Sequence, residues 1–288
     1  MGYSARYHAT SLIAVFIALA VGILVGAEFG GDALNDTRRD LEQSLVGNLQ
    51  DARSRADELN AELNRSDEFA ERVYPALVRD RLEGRRFAIL ALGGLPSPVT
   101  EEVEEALAPT GGRLVGVGVV REPIDVNGLA EDLAKTRFSG LRTDSDALTE
   151  LGTGLGRQLV LGGTLPEVVR GHLFSRASGS FGRLDGVIVV RDQPEEMGLV
   201  QREKTNQLEA ALMEGITGTR APAVGVETSS DESSSISFFQ SSGLASVDDV
   251  DLPAGQLAMV FALLGADGSF GVKGTADQLL PDLLTEGR

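Results

Sequence analysis

The stretch Ala9–Ala27, ATSLIAVFIALAVGILVGA, decides how the rest of the chain is read. It contains no charge, and its polar side chains, Thr10 and Ser11, stand at its start. At about 1.5 Å per helical residue the run reaches roughly 28 Å, close to the hydrocarbon thickness of a bilayer. A soluble core helix of this length shows a polar face, and this stretch has none. Arg6 carries the one formal side-chain charge before it, whereas Glu28, Asp32 and Asp36 follow. The positive-inside rule then makes residues 1–8 a cytoplasmic tail and 9–27 a transmembrane helix, with the remainder outside. Tyr3, Tyr7 and His8 fall where interfacial side chains lie. The competing reading is a cleaved signal peptide ending at Val25-Gly26-Ala27. The run is long for that role and the helical pattern continues past it, so an uncleaved anchor is favoured.

Ala14, Ala18, Gly22, Gly26 and Gly30 recur every four residues along one helix face. Small residues at this spacing let two backbones approach closely and form a transmembrane dimer face, although Gly is also simply frequent in membrane helices. Beyond them, Leu34, Leu41, Leu45, Leu49, Ala52, Ala56, Leu59 and Leu63, with Arg38 filling one place, are spaced 4, 3, 4, 4, 3, 4, 3 and 4 apart. That is a heptad seam with one four-residue stutter near Leu49. Residues 28–66 therefore read as a coiled-coil stalk, and both faces call for a second helix, most simply a second copy of the chain. Gly47 weakens the helix by about 1 kcal/mol relative to Ala. Residues 67–85 read as a connector, with a short helix over 67–81 that Pro75 bends or restarts.

The rest, 86–288, is long enough for one α/β domain. The sequence has no cysteine, which removes disulfides and thiolate metal sites. A formal charge of −17 argues against nucleic acid, which needs a basic footprint, and against a domain lying flat on anionic lipid. Phe87–Gly94 (FAILALGG) and Leu114–Val120 (LVGVGVV) read as buried strands flanking a helix over 98–108, a βαβ unit and so a parallel sheet. Further strands are expected at 187–190 and 223–226. Helices are expected at 126–137, 145–161, 166–175, 202–213, 257–264 and 278–284. Gly152, Gly154 and Gly156 are expected to interrupt the second of these. Residues 228–237 (TSSDESSSIS) read as an exposed loop. The fold class is α/β: a mostly parallel, Rossmann-like sheet with helices on both faces.

Catalytic chemistry is hard to place. Gly93-Gly94 stands where a phosphate cradle would, but GGLPSP is not GxGxxG, and the following helix opens with acids. There is no GxSxG elbow. His172, in RGHLFSR, reads as an exposed helical residue, and Glu101-Glu102, Glu104-Glu105 and Asp248-Asp249 as solvated faces and a turn. Two histidines and four methionines are scattered, with no MxxM or HxH cluster for copper. The chain is read as a non-enzyme with no catalytic residues and no evident cofactor.

Arg6–Gly30, RYHATSLIAVFIALAVGILVGAEFG, resembles the opening of the actinobacterial MctB-type copper-transporter family, RYHxxSLxAVFxALAxGxxxG. Ser246–Pro281, SVDDVDLPAGQLAMVFALLGADGSFGVKGTADQLLP, resembles the family's closing pattern of acidic turn, apolar helix and GxFGVK segment. The resemblance implies an anchor, a coiled coil, an α/β ectodomain, and copper transport or homeostasis by removal of copper from the cell. It leaves copper as a transported or weakly bound ion and adds an outer-membrane location to the cell-membrane one. SteB-like members of the family imply a different role: a scaffold in cell separation that regulates peptidoglycan hydrolases through protein partners. Expected partners are membrane lipid, a second copy in a homodimer and an envelope or division protein, with no nucleic acid. No metal or catalytic motif is present onto which family residues could be carried.

Overall fold

The computed structural model describes residues 5–194, 196–231 and 233–282, with the side chains of 5–9, 27–40, 42 and 43 outside the description. The chain divides into two compact units, Met1–Ser66 and Asp67–Arg288. Helix α1 runs from Ala5 to Val78. The expected restart at Pro75 does not occur: Pro75 lies inside α1, which runs on to Val78. The described side chains of the apolar run are those of residues 10–26, and all are exposed. Among the described residues no helix is long and apolar enough to cross a membrane.

The second unit is built on β1 (Arg86–Gly93), whose interior is buried throughout. Successive side chains of a strand point to opposite faces. Phe87, Ile89 and Ala91 accordingly enter one core, and Ala88, Leu90 and Leu92 enter the other. Strand β4 (Gly186–Asp192) divides the same way, with Val187 and Val189 on one face and Ile188 and Val190 on the other. A sheet buried on both faces is why these strands read as continuous apolar runs. The seven strands, with β2 (Arg113–Val120), β3 (Phe174–Gly179), β5 (Ala223–Val226), β6 (Ala245–Val247) and β7 (Ser269–Phe270), lie in the order β3-β2-β1-β4-β5-β6-β7. All pairings are parallel except β2 with β3. Apart from the antiparallel edge strand, this is the doubly wound order. Its winding reverses between β1 and β4, which opens a crevice at the carboxyl ends of those strands.

One face is covered by α2 (Ser97–Leu107) and α9 (Pro253–Leu264), together with Tyr74, Val78 and Leu82. The other carries α3 (Val126–Asp132), α4 (Ser145–Leu161), α5 (Leu165–Val168), α6 (Arg170–Leu173), α7 (Leu199–Thr217) and α8 (Ile236–Ser241). The glycines do not interrupt α4. The Asp144 carboxylate caps it by accepting from the amides of Asp146 and Ala147, and the helix runs unbroken to Leu161. Gly152 and Gly156 face α7: a Cβ at 152 would lie 2.5 Å from the Ala211 Cβ, and one at 156 only 2.2 Å from the Leu212 carbonyl. Gly215 reciprocates, its would-be Cβ lying 2.2 Å from the Thr153 carbonyl. These glycines bring two helix backbones together.

Three other expectations need correcting. Residues 166–175 do not form one helix but the two turns α5 and α6, and Phe174 already opens β3. Edge strand β3 carries no apolar run because its side chains are largely exposed. No helix forms over 278–282: Gln278 pairs with Phe270 as an isolated bridge, and 283 and 284 lie outside the described residues. The serine-rich loop is shorter than expected, since α8 starts at Ile236.

Candidate functional site

At the crevice, β1 ends on Gly93, with φ of 84°, and Gly94 donates its amide to the Asp192 carbonyl at 2.7 Å. A Cβ on Gly94 would lie 2.2 Å from Asp192 Oδ2. The carboxylate of Asp192 thus fills the space over the glycine turn where a phosphate would rest in a nucleotide-binding fold. The turn joins β1 to α2, with a carboxylate over its glycines.

Carboxylates follow the other parallel strands as well. Glu122, just after β2, has both carboxyl oxygens buried with no hydrogen-bond partner. Burial first, and then the neighbouring Glu209, push its pKa up to about 10. Glu209 of α7 is itself buried and accepts from Arg191 Nε and Gln193 Nε2, each at 3.1 Å. Glu227, directly after β5, is buried and accepts from Ser234 Oγ at 2.9 Å, the Ser235 amide at 2.8 Å and Lys273 Nζ at 2.8 Å. Asp248, after β6, accepts from the amides of Val272 and Lys273. Asp249 beside it has both oxygens buried and unpartnered. Burial, then the charges of Asp248 and Asp251, raise its pKa to about 7.

This corrects the expectation of a solvated Asp248-Asp249 turn: both residues are fully buried. Glu101, Glu104 and Glu105 are exposed as expected, and Glu102 accepts from Gln256 Nε2 at 3.1 Å. A cavity of about 250 Å³ lies between the ends of β4 and β5, walled by Pro96, Arg191, Asp192, Val226, Glu227 and Asp231. A larger one of about 510 Å³ lies beside α7 and α8, where Arg191 stacks over the Phe238 ring at 4.3 Å. The first cavity brings three carboxylates and one guanidinium to its walls. Sequence reasoning passed over Glu122, Asp192, Glu209, Glu227 and Lys273. A usable signal was present: an acid follows each of the apolar runs that became β4, β5 and β6.

His172 lies on α6, helical as the sequence suggested but half-buried rather than fully exposed. Its Nδ1 is 2.8 Å from Asp132 Oδ2, and its Nε2 faces Asp125 Oδ2 at 3.9 Å. The hydrogen bond with Asp132 raises the imidazole pKa, partial desolvation opposes this, and the charges of Asp132, Asp125 and Glu131 add to the rise.

Of the residues expected to pair two chains, Ala14, Ala18, Gly22 and Gly26 are exposed on α1. So are Leu41, Leu45, Leu49, Ala52, Ala56, Leu59 and Leu63. The side chains of Gly30, Leu34, Arg38, Tyr7 and His8, and all of Tyr3, lie outside the described residues. Among the described residues no group of three or more His, Cys, Asp or Glu is placed to hold a metal ion. Met213 and Met259 are buried in separate cores.

These features define an α/β protein with a doubly wound sheet, a long helix at its amino terminus and an acid-lined crevice. Residues 3–281 match the family described as "Copper transport outer membrane protein, MctB", and the chain belongs to that family. It is similar to the copper transporter MctB of Mycobacterium bovis and of Mycobacterium tuberculosis, 28% identical over 149 residues, covering 51% of this chain and 48% of the relative. It is also similar to the copper transporter MctB of Mycobacterium leprae, 29% identical over 125 residues, covering 43% of this chain and 39% of the relative. The aligned region thus spans less than half the length of these relatives.

Proposed function

We propose that the protein is a non-enzymatic, membrane-anchored component of copper transport or homeostasis that lowers copper in the cell. The observation that carries this reading is the family match over residues 3–281. The anchor is Ala9–Ala27, with the amino terminus cytoplasmic and the α/β unit extracytoplasmic; its support is the uncharged apolar run and the acids that follow it. Two copies pair through Ala14, Ala18, Gly22, Gly26 and Gly30 and through the seam from Leu34 to Leu63. The exposure of the leucines from Leu41 to Leu63 supports that pairing. Copper is cargo or a weakly held ion, not a resident cofactor. The family description names the outer membrane, so fractionation of the envelope accompanies any test of location.

A second reading, a SteB-like scaffold for cell separation that regulates peptidoglycan hydrolases through protein partners, is supported by the long helix with its exposed leucines. Cell-associated copper in a deletion strain, normalised to biomass at fixed external copper, separates the two. A rise that the gene reverses supports copper handling. Unchanged copper with unseparated cells supports the scaffold and removes the first reading.

A further inference from the structure

We propose that His172 Nε2 and an Asp125 carboxylate oxygen form a two-ligand site for a divalent transition-metal ion that favours imidazole nitrogen, short of the three-residue groups that are lacking among the described residues. Asp132 is the positioning residue. It lies 2.8 Å from Nδ1 and, as acceptor, fixes the tautomer in which Nδ1 carries the proton and Nε2 presents its lone pair. That arrangement, a carboxylate behind a histidine whose other nitrogen is open, is how metal-ligating imidazoles are held.

Three features support a ligand role over a plain ion pair. Nε2 and Asp125 Oδ2 are 3.9 Å apart, too far for a hydrogen bond. One ion with bonds of about 2.0–2.2 Å to each spans such a gap, and a small closing movement of Asp125 gives it a bent geometry. The ring also lies in a cradle only glycine provides: a Cβ on Gly128 would sit 2.1 Å from the imidazole Cδ2. Glycine is a poor helix former, and here it makes room for both the imidazole and Asp125 Oδ2, which a Cβ there would approach to 2.4 Å. Finally, the side chains of His172 and Asp125 are 38% and 39% exposed, so an ion reaches them and water completes the shell. Nitrogen and oxygen ligands without sulfur suit Cu(II) or Zn(II) rather than Cu(I). Two protein ligands make this a weak site.

The site does not rest on the transport reading, since neither membrane nor cargo path enters its geometry. It does predict competition with protons. The hydrogen bond with Asp132, and then the charges of Asp132, Asp125 and Glu131, favour the imidazolium form, so metal binding weakens as pH falls.

The chain has only two histidines, which makes the test clean. Full-length protein in detergent, carrying His8→Gln, is titrated with Cu(II) alone and examined by pulsed electron paramagnetic resonance. One bound Cu(II) with the nitrogen modulation of a single imidazole is expected, and His172→Gln in the same background should abolish it. Asp132→Asn should weaken binding about 10- to 100-fold. Asp125→Asn keeps a side-chain oxygen to accept from the Gly128 amide and cap α3, and should weaken binding about 10-fold. Circular dichroism checks that each variant is folded. Copper bound without imidazole modulation in the His8→Gln protein, or affinity unchanged by Asp125→Asn, overturns the proposal. Cellular copper is a separate readout, so this site and the transport reading fail independently.

Discussion

Replacing Gly156 by alanine pits local helix preference against tertiary packing. In an isolated helix Gly→Ala stabilises by about 1 kcal/mol. In this fold the new Cβ would lie 2.2 Å from the Leu212 carbonyl and 3.0 Å from the Ile216 amide nitrogen. Both are backbone atoms of α7, so no side chain can swing away; α4 and α7 must part by about 1 Å for ordinary contact. Overpacking of this kind costs about 1–3 kcal/mol, and backbone contact puts it at the upper end. The net effect is a loss of about 2 kcal/mol, which lowers the melting temperature by about 4–8 °C for a unit of this size. Gly154→Ala is the control, two residues away on the same helix. Its Cβ meets Leu165 Cδ2 at 3.5 Å, an ordinary contact, so it should gain about 0.5–1 kcal/mol and melt slightly higher. Calorimetry of the full-length variants, following the transition of the α/β unit, decides the matter. If Gly156→Ala melts as high as Gly154→Ala, the close helix crossing is not what holds that glycine.

The raised pKa of Asp249 gives stability a pH slope. The folded state binds this proton up to about pH 7 and the unfolded chain only to about pH 4, so stability is gained as pH falls through that window and lost as it rises. Asp249→Asn should flatten the slope and unfold at higher urea than the parent at pH 8; an unaltered slope would place the group in water. Lys273→Met should destabilise by about 3–5 kcal/mol because it leaves Glu227 buried without its cation, and the double change with Glu227→Gln should recover part of that loss in urea unfolding. Gly22→Leu with Gly26→Leu should reduce crosslinking between copies in membranes, and equal yields would sink the small-residue interface.

The sheet was legible where burial is two-sided. Phe87–Leu92 and Val187–Val190 are apolar at every position because each face of the sheet meets a core, and a run without alternation announces that. Edge strand β3 was not legible, because Phe174–Gly179 exposes most of its side chains and is held by backbone bonds to β2. Gly152 and Gly156 were misread because a glycine that weakens a lone helix and one that admits a second helix are the same letter. In the crevice, the Gly93-Gly94 turn reads from the sequence as a strand-to-helix turn and is one, whereas Asp248-Asp249 reads as solvated although both are buried. An acidic pair reads as solvated unless the amides and lysine that surround it are known, and Val272 and Lys273 lie more than twenty residues further on.

By itself the sequence determined the long apolar run, the heptad spacing, the parallel βαβ core and the family, since these are written in local period, charge and motif. The tertiary structure alone decided which acids are buried, which glycines are helix contacts, and that His172 lies between Asp125 and Asp132. Each of those depends on residues distant along the chain meeting in space. A carboxylate's or imidazole's chemistry is set by the neighbours that folding brings to it, not by those beside it in sequence.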